Sequence, residues 1–212
     1  MYASNGAAIA FVDRSEPHLP EPDLFGIALP TRFEGYFPEF SGYLPRYHDY
    51  LTWAVLKAHT RNRAGTVLLR SADPRDPPRV NFHYFDEGTD TQGHDLRALV
   101  KAIQLVRKLT APLIARGVIA EEMTPGAGVA TEEALAEYIR DTAWGHHASC
   151  SCPIGDFDQG GVLDSAFRVH GTRRLRVVDA SVFPRIPGFF LVSAVYIVAE
   201  KAAATLLNRS RG

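Results

Sequence analysis

A chain of 212 residues with 46% hydrophobic and 22% charged side chains can bury a sizeable core. Its 23 basic and 24 acidic residues nearly cancel, which argues against the basic surface that nucleic acid or an anionic membrane would attract. No apolar run is long enough to span a bilayer, and Met1-Tyr2-Ala3-Ser4-Asn5-Gly6 has neither the basic nor the apolar part of a signal peptide. A cytoplasmic location is the expectation, unless a longer N-terminus carries an export signal.

Ala7 to Asp13 reads as a short strand. Glu16 to Pro45 is rich in Pro, Gly and aromatic residues, which predicts an irregular segment held down by large side chains. Tyr50–Leu56, Thr66–Arg70 and Val80–Phe85 read as strands, the second ended by the turn-rich run from Ser71 to Pro78. Asp95 to Leu109 predicts an amphipathic helix, with Leu96, Leu99, Val100, Ile103, Val106 and Leu109 at three- and four-residue spacing. Thr131 suits the N-cap of a second helix running to Arg140, with Glu132 and Glu133 in its first turn. Arg174–Val178 reads as a strand. Val192–Leu207 reads as a final helix with Val195, Ala199, Ala202, Ala203 and Leu206 on or near one face. Strands followed by helices, without regular alternation, predict the α+β class.

Chemistry concentrates in Trp144-Gly145-His146-His147-Ala148-Ser149-Cys150-Ser151-Cys152-Pro153-Ile154-Gly155. Two adjacent imidazoles lie in a Gly- and Ser-rich loop, and imidazole is the side chain best placed to exchange protons near neutral pH. Cys150 and Cys152 are one residue apart, so a bridge between them would be strained. Adjacent histidines and a C-x-C pair do not match zinc spacing, and no metal is expected. A serine hydrolase would need a G-x-S-x-G elbow, which the sequence lacks.

The order of motifs after this loop is specific. Gly161-Val162-Leu163-Asp164 leads to Arg168-Val169-His170-Gly171, then to Leu175-Arg176-Val177-Val178-Asp179-Ala180-Ser181-Val182-Phe183-Pro184 and a closing helix. This order resembles the C-terminal part of the glucose–methanol–choline (GMC) oxidoreductases, flavoenzymes that oxidise alcohols. Upstream, Gly65-Thr66-Val67, Ser71-Ala72-Asp73-Pro74 and Pro78-Arg79-Val80-Asn81-Phe82 continue the resemblance more weakly. The family's opening G-x-G-x-x-G does not occur.

The resemblance therefore implies the C-terminal portion of a longer enzyme, inactive alone. Its fold would be an antiparallel sheet backed by helices, with a C-terminal strand–helix segment packing on an absent FAD domain. Residues 1–143 would be the substrate-binding domain, and residues 144–212 the His loop and the segment returning to the FAD-binding domain. FAD would be held mainly by that N-terminal portion of the same enzyme, which is the implied partner. The other partner is a small-molecule alcohol, with no nucleic acid or membrane involved.

Within the family's pattern H-P-V-G-T-C-x-M-G, counting back from Gly155 puts the catalytic histidine at His147. His146 flanks it as a second catalytic candidate. Cys150 stands where the pattern has glycine, and Pro153 where it has a polar residue. The family's second polar residue, His or Asn, falls on Phe190, eleven positions beyond Asp179. Asp179, Ala180, Phe190, Leu191 and Val192 are the implied cofactor contacts, the last three leading into the final helix. The alternative reading is a non-catalytic binding module descended from such an enzyme.

Overall fold

The computed structural model describes residues 6–208. The chain divides into two compact units, Met1–Ala143 and Trp144–Gly212.

The first unit is α+β. Strands β1 (Ile9–Asp13), β2 (Leu24–Leu29) and β3 (Thr52–Lys57) form an antiparallel sheet in that order. The register places Phe11 opposite Gly26, and Gly26 opposite Val55. The central strand lies inside the segment whose composition predicts no regular structure. Its alternation is clear once paired: Leu24, Gly26 and Ala28 are buried while their neighbours are only partly so. Prolines on both flanks and a central glycine mask this pattern in the sequence. Gly26 is required because the Phe11 ring lies over it; a Cβ there would meet Phe11 Cε1 at 2.1 Å. The rest of that segment includes a short helix α1 (Phe40–Tyr43) and a 3-10 turn, Leu44–Arg46.

Thr66–Leu68 (β4) and Arg79–Asn81 (β5) form a separate two-stranded antiparallel ribbon. Both strands are shorter than expected from sequence. Helix α2 (His94–Ala115) outruns its predicted end at Leu109 and contains Pro112 in its last turn. A proline there removes one late hydrogen bond without stopping the helix. Gly117, at φ +69°, then ends it, with Val118 N bonded to Leu113 O at 2.9 Å. Ala98 and Ala102 of α2 pack with Leu24 and Val55 of the sheet. Leu96 and Val100 pack against Leu135 and Ile139 of α3 (Glu132–Thr142). Thr131 caps α3 as its sequence position predicts, its hydroxyl accepting from Ala134 N at 3.1 Å.

Under this packing lies a buried ionic cluster. Lys57 Nζ is 3.1 Å from Asp23 and 3.5 Å from Asp95, and all three side chains are less than 8% exposed. Asp23 also accepts from the N–H and hydroxyl of Ser15, and Asp95 from the N–H groups of Arg61 and Asn62. Burial pushes the Asp23 carboxyl up, but Ser15 and Lys57 together hold it below the usual aspartate range.

The second unit is mostly turns around one core of Leu163, Phe167, Val182 and Ala202. The His loop is laced to residues 180–182 by three hydrogen bonds: Cys150 N to Ala180 O, Cys152 N to Ser181 O, and Ile154 N to Val182 O, at 2.9–3.2 Å. Gly161 packs directly on Gly155, where a Cβ would meet the Gly155 carbonyl at 2.2 Å. The strand expected at Arg174–Val178 does not form. Arg174 adopts φ +61°, and only Arg176 makes an isolated bridge, to Arg168. Helix α4 (Val192–Asn208) closes the unit. Its core side carries Val198 and Ala202, not the wider set expected from sequence. An almost wholly apolar helix gives periodicity little with which to choose a face.

Candidate active site

The ladder between the His loop and residues 180–182 fixes where the two imidazoles start. Cys150 adopts φ +68°, the left-handed conformation that glycine takes at no cost. The backbone shape is thus the one a glycine would supply, although the side chain is a thiol.

The rings ahead of Cys150 form a chain of contacts. Trp144 stacks on His146 with centroids 5.1 Å apart. His146 meets His147 edge-on at 4.4 Å, and His147 meets Phe190 edge-on at 6.0 Å. His146 is exposed and His147 half-buried. Burial is the largest influence on His147, and with the neighbouring His146 it holds the imidazole below its ordinary 6.5. A hydrogen bond with the Phe189 backbone opposes them. Since that bond favours the protonated ring, a ring N–H donates it. The lone pair of the neutral ring then belongs to the other nitrogen.

His146 and His147, but neither Trp144 nor Phe190, border a cavity of about 450 Å³ within the second unit. The His loop contributes His146, His147 and Ala148, and the turn at residues 180–182 contributes Ala180. From the last helix and the residue before it come Leu191, Val192, Val195, Tyr196 and Ala199. Sequence reasoning missed Ala148, Val195, Tyr196 and Ala199 as cavity residues. The signal for Tyr196 was present: 192, 195, 196 and 199 are one helix face at spacings of three and four.

The first intrahelical hydrogen bond at this end runs from Val195 N to Leu191 O at 2.8 Å. The N–H groups of Val192 to Ala194 thus have no acceptor in the helix and supply partial positive charge beside the cavity. Asp179 is used differently: its carboxylate accepts from Ser181 N at 2.8 Å and Ser181 Oγ at 2.5 Å, capping the turn Ala180–Val182. Its neighbour Ala180 is the one that reaches the cavity. Among the described residues no cluster of His, Cys, Asp and Glu could hold a metal ion, and no helix is long and apolar enough to cross a membrane.

The family profile described as GMC oxidoreductase matches residues 60–199, about two thirds of the chain. The chain belongs to the GMC oxidoreductases. It is 38% identical over 147 residues to an oxygen-dependent choline dehydrogenase of Vibrio vulnificus, covering 68% of this chain and 25% of that protein. It is 34% identical over 212 residues to a chloroplastic fatty acid photodecarboxylase of Chlamydomonas reinhardtii, covering 95% of this chain and 34% of that protein. Formate oxidase of Aspergillus oryzae superposes with a TM-score of 0.74 at 26% identity, over 91% of this chain and 33% of that one. A fungal aryl-alcohol oxidase superposes at 0.62 with 26% identity, over 91% of this chain and 28% of that one. The chain spans about a quarter to a third of the length of the curated relatives it matches.

Proposed function

We propose that this chain is the substrate-side portion of an FAD-dependent GMC enzyme that oxidises an alcohol, with His147 as the general base. The observation that carries the reading is the half-buried imidazole, depressed in basicity and held by the Phe189 backbone, at the edge of an apolar cavity beside a helix start. Residues 1–143 would then serve the substrate and residues 144–212 the flavin. The flavin would be held chiefly by an N-terminal portion of the same enzyme.

The residues present suit a flavin ring. Ala180, Leu191 and Val192 offer small or apolar contacts. The N–H groups at the start of α4 favour negative charge, as helix starts favour bound anions. Phe190 adds an apolar face, while Asp179 shapes the Ala180 turn. When bound, the flavin supplies a two-electron acceptor for hydride. His147 takes the hydroxyl proton on its unengaged nitrogen, the carbinol carbon gives up its hydride, and a C=O bond forms. His146 packs between Trp144 and His147 and orients the latter.

His147→Ala in the flavin-loaded enzyme should slow anaerobic flavin reduction by alcohol by roughly two to four orders of magnitude. His146→Ala should cost less. If both variants match wild type, the loop is structural and the catalytic reading is wrong; if only His146→Ala is dead, the base is His146. A protein that binds no flavin at all would favour the binding-module alternative.

A further inference from the structure

We infer that Trp144 is a positioning residue: its indole face holds His146, and through His146 it keeps the imidazole of His147 packed and oriented as a base. This rests on the alcohol-oxidation reading above and names what holds the base of that site in place.

The segment from 143 to 150 has no regular secondary structure, and the ladder to residues 180–182 begins only at Cys150 N. Backbone pairing therefore pins the chain three residues after His147. The ring itself is left to its side-chain contacts and its bond with the Phe189 backbone. Those contacts are ordered. Trp144 stacks on His146, their planes 28° apart, whereas His146 meets His147 at 63° and His147 meets Phe190 at 67°. His147 is thus flanked by two rings, one of which rests on the indole. Trp144 is 53% exposed and lies outside the second unit's core. An indole left half in water and stacked on an exposed imidazole adds little to core burial; it fixes the plane of its neighbour. Burial is what most disfavours the charged form of His147, and His146 is the titratable group that acts on it. Phe190 is neutral, and Phe189 acts through its backbone. Without the indole, His146 is free to turn away and water reaches His147, so the charged imidazole forms more easily.

The experiment uses the full-length flavin-loaded enzyme with its histidines isotope-labelled at Cε1. The His147 signal is the one lost in His147→Ala. Each variant is followed twice: by NMR titration of His147 and by anaerobic flavin reduction with benzyl alcohol. Trp144→Ala and Trp144→Leu should raise the His147 midpoint, while Trp144→Phe, which keeps a flat ring, should not. His146→Ala should raise it too. Trp144→Ala combined with His146→Ala should raise it no further than His146→Ala alone, because the indole acts through His146. Trp144→Ala should also lower the limiting rate of reduction roughly 10- to 100-fold, as for a base misplaced by ~1 Å, with little change in apparent affinity.

A His147 midpoint that stays put in Trp144→Ala and Trp144→Leu, moves as far in Trp144→Phe, or moves additively in the double variant overturns the inference and leaves the base assignment standing. If the midpoints move as expected but His147→Ala reduces as fast as wild type, or benzyl alcohol reduces no form of the enzyme, the positioning role stands and the base reading loses its support.

Discussion

The Lys57 cluster of the first unit and the His147 neighbourhood of the second treat polar groups in opposite ways. Around Lys57, two carboxylates and an ammonium are almost fully buried, and every partner is supplied by the chain itself. Around His147, the imidazole meets the Phe189 backbone and lines an apolar cavity. A saturated cluster has no capacity left for a ligand and acts as scaffold. On the proposed reading, a titratable ring beside uncharged walls is the group that transfers the proton. If that proposal holds, local density of charge is a poor guide to the working part of this molecule.

Four perturbations sharpen that contrast. The largest loss of stability should follow Lys57→Ala, which leaves Asp23 and Asp95 buried without their cation. Removing one partner of such a pair costs about 3–5 kcal/mol, and urea unfolding of the first unit would report it. An unchanged midpoint would show that the cluster is not the scaffold described here. Gly161→Ala should come next, because its Cβ would meet the Gly155 carbonyl. Overpacking of this kind costs about 1–3 kcal/mol, and it should disturb the His loop while leaving the first unit's unfolding unchanged.

Acid should act on the first unit more gently. The carboxyls of Asp23 and Asp90 are depressed below 3.8, burial being overcome by Ser15 and Lys57 in the first and by the N–H groups of Asp95 and His94 in the second. A depressed carboxyl contributes stability above its unfolded value, and that contribution is lost as pH falls through its folded value. Unfolding midpoints should therefore be flat near neutrality and drop below about pH 4. An Asp23→Asn variant should show a shallower drop; an equal drop would remove Asp23 from the account. The smallest effect should be Thr131→Ala, about 1 kcal/mol for a lost N-cap, read by thermal unfolding.

These residues also show what sequence can carry. Thr131 was legible because capping is local: the hydroxyl needs only an N–H three residues on. The apolar spacing of α2 was legible because its opposite face is polar. Strand β2 was not, since its alternation depends on Gly26 lying under Phe11, a fact about its neighbour. The core side of α4 was hidden by apolar residues all round the helix. At the site, the order of motifs brought out His146, His147, Ala180, Leu191 and Val192, which the fold gathers around one cavity. Asp179 caps the turn that carries Ala180, and the spacing that puts Tyr196 on one face with Val192, Val195 and Ala199 could not say that this face borders a cavity, which is a tertiary property.

The central claim is that His147 works as a neutral base, and the pH dependence of alcohol-driven flavin reduction tests it most directly. Burial and His146 disfavour the charged imidazole, so protonation should require a pH below the ordinary 6.5. The wild-type rate should hold down to that region and then fall, and the acid limb should vanish in His147→Ala. The same acid limb in both proteins would contradict the account.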